Sequence, residues 1–142
     1  MTVEAHLYRP HGSLTTLVNG RHAWAADVDH SDPPQAFAPT PHDLLDSALA
    51  ACTALTLDGY IRRHDMAVTA LRIQIDREER VEAGGSRKYH LQRTLHIDGD
   101  LSDAERESLQ AIAQRCPIHR VLTGEVQIET ASAPPTPSEA PD

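Results

Sequence analysis

Between residues 44 and 60 almost every side chain is apolar or small, and no other feature restricts the fold so sharply. Thr40 reads as a helix N-cap, Pro41 suits the first helical position, and Asp43 completes a Thr-x-x-Asp capping pattern. Leu45, Ala48, Leu49, Cys52 and Leu55 then share one stripe, which Leu44, Ala51 and Thr56 widen. A helix apolar over so much of its girth belongs in a core. Cys52 is therefore expected to be screened from bulk water. Arg62, Arg63, His64 and Asp65 end this helix.

Strand signals flank it. Apolar runs at residues 3–8, 13–18 and 22–28 are separated by Pro10-His-Gly12 and by Asn19-Gly20, a hairpin signal. They predict a β-meander. Residues 30–40 carry Pro33, Pro34 and Pro39 and read as a loop, with Asp27, Asp29 and Asp32 as surface charge. Beyond the helix, Leu71, Ile73 and Ile75 alternate with Arg72, Gln74 and Asp76. That is a strand with one wet face. Gly84-Gly85 marks a turn, and Tyr89, Leu91, Leu95 and Ile97 set a second alternation. Ser102-x-x-Glu105 is another capping box, followed by Leu109, Ile112, Ala113 and Cys116 at helical spacing. Pro117 disfavours helical geometry at Cys116, so the helix is expected to end there. Residues 126–128 read as a short last strand. The order β-β-β, α, β-β, α, β with antiparallel turns gives an α+β class. Residues 1–130 form the expected domain, and the Pro/Ser/Ala-rich residues 131–142 a disordered tail.

The chain's 142 residues suffice for a hydrophobic core without staples. Its net charge of −8 argues against a nucleic-acid partner. The N-terminus lacks a basic region followed by an apolar run, and no stretch approaches about 20 apolar residues. The expectation is a soluble cytoplasmic protein with no membrane partner. There a stable disulfide is uncommon and a catalytic one is the usual kind. The chain has two cysteines, Cys52 and Cys116, each in its own apolar segment. Inert packing, a structural disulfide and a redox pair all stay open from pattern alone. A reactive Cys52 needs a cationic or hydrogen-bonding neighbour, and Arg21 or, second, Arg9 could serve, with Asp43 as the orienting carboxylate. Cys116 has His119 and Arg120 close by. A zinc site would want four ligands at paired spacings, which this chain lacks, and no metal or cofactor is expected.

The run Pro41-His-Asp-Leu-Leu-Asp-Ser-Ala-Leu-Ala-Ala-Cys52-Thr, with Arg115-Cys116-Pro-Ile-His119-Arg120, resembles the OsmC/Ohr family of osmotically inducible and organic hydroperoxide resistance proteins. The likeness extends from about Gly20 to Glu129. Asp43-Leu-Leu and Asp100-Leu-Ser-Asp-Ala-Glu resemble its OsmC-like branch. The resemblance implies an interleaved homodimer, with β-sheets wrapped around paired central helices and active sites at the interface. It also implies cysteine-based reduction of organic hydroperoxides. By position Cys52 matches the peroxidatic cysteine and Cys116 the resolving one, with a lipoyl or thioredoxin-like dithiol as reductant. Leu45, Leu49 and Leu55 would supply an apolar pocket for an alkyl or lipid hydroperoxide, with His42 and His119 as further substrate contacts. One departure stands out. The organic-hydroperoxide enzymes carry a glutamate directly after the helix-initiating proline, where this chain has His42. The competing expectation is a non-catalytic small-molecule-binding or stress-associated dimer on the same scaffold.

Overall fold

In the computed structural model, residues 1–28 and 35–135 are described. A short antiparallel sheet comes first: β1 (Glu4–Leu7), β2 (Thr15–Val18) and β3 (Ala23–Ala26), with a 3-10 turn at Arg9–His11. Asn19 closes the β2–β3 hairpin, its side-chain oxygen accepting the N–H groups of Arg21 and His22 at 3.1 and 2.8 Å. Gly20 stands at φ 83°, the left-handed geometry that such a turn requires. The long helix α1 (Pro41–Arg63) follows, then the hairpin of β4 (Val68–Val81) and β5 (Arg87–Gly99), and helices α2 (Asp103–Ala113) and α3 (Pro117–Thr123).

Both capping boxes form. Thr40 and Asp43 exchange side-chain and backbone bonds at 3.2 and 3.0 Å. Ser102 and Glu105 do the same at 3.2 and 2.8 Å. One stripe of α1 (Leu49, Thr53, Leu57 and Ile61) is buried. Leu57 and Ile61 form the core with Leu109, Ile112 and Ala113 of α2, against Leu71, Ile73, Leu95 and Ile97 of the hairpin. Leu57 is fully enclosed. Leu57→Ala should therefore cost about 2–5 kcal/mol in denaturant unfolding, through lost transfer energy and a residual cavity. Gly99 stands at φ 151° beside the β4 bulge, and a side chain there would run into the Ala67 carbonyl.

Several expectations need correction. The strands run past the alternating segments, to a turn at Gly84-Gly85, because ladder bonds continue where charged residues such as Glu78 and Arg80 hide the pattern. Pro117 ends one helix and also starts another, for it occupies the first turn of α3, where its missing N–H costs nothing. No strand forms at residues 126–128. Val126 and Ile128 are exposed, and residues 126–128 pair with no strand among the described residues. Asp27 is buried rather than surface charge, accepting bonds from Ser13 Oγ at 2.6 Å and from the N–H groups of Val28 and Phe37 at 2.8 and 3.1 Å. Asp29 and Asp32, and residues 136–142 of the tail, lie outside the described residues, while 131–135 have no regular structure.

Those bonds, Ser13's first, hold the Asp27 carboxyl below the usual carboxylate range. A depressed folded value means that its stabilisation is present above the unfolded carboxylate pKa, about 3.9. It is lost as pH falls through the folded value. Asp27→Asn should lower the urea midpoint at pH 7 and flatten its decline on acidification.

One side of α1 is left open. Leu45, Ala51 and Leu55 are exposed and Ala48 and Cys52 half-buried, so the helix is a core helix on one face only. By length and a mean hydropathy of 1.2 it also reaches the range of a membrane span, contrary to the expectation that no stretch approaches one. Its packing on β4, α2 and α3, and its ion-paired Asp43, Asp46 and Asp58, mark it as a helix of a folded domain. The N-terminal sheet makes at most marginal contact with the helices and the long hairpin. The chain exposes 11521 Å². A compact monomer of its mass would expose about 7,300 Å².

Candidate active site

Cys52 and Cys116 meet where α1 passes the start of α3. Cys116 is the N-cap of α3, and its sulfur accepts the His119 N–H at 3.4 Å. The thiols are free and close enough to influence each other's ionisation, and the Ile118 backbone acts on both sulfurs. Cys116 is fully enclosed, whereas Cys52 is only half-buried on the open side of α1.

The two sulfurs are not equivalent. Burial pushes the Cys52 thiol up, and its hydrogen bond to Cys116 adds to the effect. Burial works against the Cys116 anion as well. There it is outweighed by the Cys52 S–H, the His119 and Ile118 amides and the Thr53 hydroxyl, which bring Cys116 below the ordinary thiol value.

A guanidinium reaches this cluster from β5. Arg93 donates to Thr53 Oγ1 at 3.0 Å and approaches His119 Nδ1 at 3.3 Å. Arg93 occupies the inward register of β5, between Leu91 and Leu95, where an apolar residue would continue the alternation. That break in pattern was the available signal for it, and Thr53, on the buried stripe of α1, was the signal for its partner.

The other candidates lie elsewhere. Arg21 sits in the exposed β2–β3 turn, and Arg9 in the 3-10 turn after β1. Neither makes an ion pair among the described residues. Asp43 pairs instead with Arg77 at 3.4 Å, and Asp46 holds the same guanidinium at 2.8 Å. Asp43 precedes Cys52 by nine residues, about 13 Å along the axis and half a turn around it. His42 stacks on Tyr89 at 5.8 Å, with Glu79 at 3.8 Å from its Nε2. Of the three leucines, Leu49 is enclosed, Leu45 is 38% exposed and Leu55 72%. Leu49 and His119 line a cleft of about 550 Å³ with Leu91, Arg93, Arg106 and Gln114, and neither cysteine lines it. Among the described residues no His/Cys/Asp/Glu group could hold a metal ion.

A contacting pair of free thiols on a long apolar helix, backed by an antiparallel hairpin, defines a two-cysteine α+β protein. The chain belongs to the OsmC-like protein family, whose model matches residues 31–131. Solved structures agree on the fold. An OsmC-like protein from Mycoplasma pneumoniae is 21% identical, with a TM-score of 0.74 over 87% of this chain and 86% of that one. A Legionella pneumophila protein described as an organic hydroperoxide resistance protein OsmC is 19% identical, with a TM-score of 0.67 over 87% and 88%. An organic hydroperoxide resistance protein from Elizabethkingia anophelis is 14% identical, with a TM-score of 0.66 over 87% and 89%. No curated protein matches the chain.

Proposed function

We propose that this protein is a thiol-dependent peroxidase that reduces organic hydroperoxides and works as a homodimer. The observation that carries this reading is the pairing of Cys52 with Cys116, two free thiols far apart in sequence that the fold brings close enough to influence each other's ionisation. The Legionella and Elizabethkingia proteins, both described as organic hydroperoxide resistance proteins, support the substrate class.

The chemistry follows from the pairing of the two sulfurs. Loss of the Cys52 proton leaves a thiolate on the more accessible sulfur. That thiolate attacks the distal oxygen of the hydroperoxide, the O–O bond breaks, and the alcohol leaves after taking a proton. Cys52 becomes a sulfenic acid. Cys116 attacks its sulfur, water departs, and a disulfide remains. Two thiols and one hydroperoxide thus give one disulfide, one alcohol and one water. An external dithiol, lipoyl or thioredoxin-like, restores both thiols by exchange. Nothing in this sequence calls for a metal or cofactor.

The dimer is supported by the open face of α1. Leu45, Ala51 and Leu55 form an apolar strip beside half-buried Cys52, and covering it would dry the thiol. A partner could also supply what one chain does not bring to Cys52, for which Arg21 is the first candidate and Arg9 the second.

Steady-state hydroperoxide consumption tests the function. Cumene hydroperoxide should be consumed catalytically with dihydrolipoamide or a thioredoxin system, and faster than hydrogen peroxide. The 550 Å³ cleft favours a second reading, ligand binding without turnover. That reading gains if both thiols survive hydroperoxide while an apolar ligand raises the melting temperature.

A further inference from the structure

We infer that the cleft between β5 and helices α2 and α3 binds a small amphipathic carboxylate, with Arg93 holding the anionic head and the inner face of β5 holding the apolar body. The inference goes beyond the peroxidase reading and does not rest on it, because neither cysteine lines this cleft. The space measures about 550 Å³, within the range of small-molecule sites.

Charge selects the class of ligand. The chain as a whole carries 21 Asp and Glu against 13 Lys and Arg. The cleft reverses that balance, for Arg93 and Arg106 line it and no Asp or Glu does. Elsewhere Arg62, Arg77, Arg80, Arg87 and Lys88 each lie beside a carboxylate. Arg93 and Arg106 pair with none among the described residues. Arg93 is half-buried, and at most two of its five N–H groups are taken, by Thr53 Oγ1 at 3.0 Å and His119 Nδ1 at 3.3 Å. A partly desolvated guanidinium with free donors and no counter-ion is a seat for a carboxylate, which it can hold through two parallel bonds. Arg106 is exposed and donates to the Ile97 and Gly99 carbonyls at 2.9 and 3.3 Å. It contributes positive field at the far end of the cleft rather than the seat itself.

The apolar lining fits the body of such a ligand. Leu91 and Leu95 flank Arg93 on the inward register of β5, Ile97 continues the row, and buried Leu49 adds to it from α1. Ile97 lies four residues along the strand from Arg93, about 13 Å away. An alkyl chain the length of octanoate fits along that row. Gln110 and Gln114 form an exposed, uncharged polar rim on the α2 side.

Octanoate is the probe, and it cannot oxidise a thiol, so its binding is separate from cysteine chemistry. Calorimetric titration of the full chain should show one octanoate per subunit. 1-Octanol should bind about tenfold more weakly, and added salt should weaken octanoate alone. Arg93→Gln should reduce octanoate affinity about tenfold and leave that for octanol unchanged. Gln110→Glu keeps the shape of an exposed side chain and sets a carboxylate one helical turn from Arg106, so it should weaken octanoate several-fold. A merely structural role for Arg93 would lower the melting temperature and affect both ligands alike. In an NMR titration the amide shifts should centre on Leu91, Leu95 and Gln110. Four results would each overturn the inference: no octanoate uptake, as when a second copy covers the cleft; equal affinity for octanol; shifts centred on Leu45 and Leu55 of the open α1 face; or full octanoate affinity in folded Arg93→Gln and Gln110→Glu. None of them touches the peroxidase reading, and a failure to consume cumene hydroperoxide would leave the octanoate result as it stands.

Discussion

Cys52→Ser is expected to abolish hydroperoxide consumption, while Cys116→Ser completes one turnover and stops. The asymmetry follows from the surroundings of the two sulfurs. Cys52 is the half-buried member of the pair, and a serine hydroxyl there cannot act as a nucleophile at neutral pH. Cys116 is fully enclosed at the start of α3, placed to close a bond with Cys52 rather than to meet a bulky peroxide. In Cys116→Ser the Cys52 sulfenic acid should persist and be trapped by dimedone, and it should oxidise further under excess peroxide. Equal consumption by both variants would contradict these roles.

Leu55→Asp is expected to convert a dimer to a monomer and to lower hydroperoxide turnover by on the order of a hundredfold. Leu55 is 72% exposed in the single chain, so a charge there costs the isolated fold little. Its effect appears only if a second copy covers the face. The charge would then be taken out of water beside Ala51 and the Cys52 thiol without a partner. Light scattering should show the mass halved while circular dichroism is unchanged. A wild-type monomer that turns over hydroperoxide at full rate would contradict the dimer and the dry-cleft account together.

Local chemistry was legible in the sequence, and long-range partners were not. The boxes at Thr40–Asp43 and Ser102–Glu105 are written within four residues each, so both helix starts could be read directly. Pro117 carries two meanings, terminator and first-turn residue. Only the chain after it decides between them, which is how α3 was missed. Residues 126–128 have strand composition, but composition alone does not bring a segment alongside another strand, and here it lies against none. Asp27 looked like one of several acidic loop residues, and its burial depends on Ser13 and Phe37, remote in sequence. The site divides in the same way. The cysteines stood out, and the fold brings them together. Arg93 hid inside a strand pattern, because its partners Thr53 and His119 lie on two other elements. The arginines expected for Cys52 were Arg21 and Arg9 near the N-terminus, whereas within one chain the guanidinium next to Thr53 and His119 comes from β5.

The central claim is that one hydroperoxide molecule joins these two sulfurs. Reduced protein should be mixed with one equivalent of cumene hydroperoxide, alkylated and mapped by mass spectrometry. Both thiols should disappear together, and a Cys52–Cys116 linked peptide should account for them within the same subunit. Persistence of both free thiols, or oxidation of Cys52 with Cys116 left free, would contradict it.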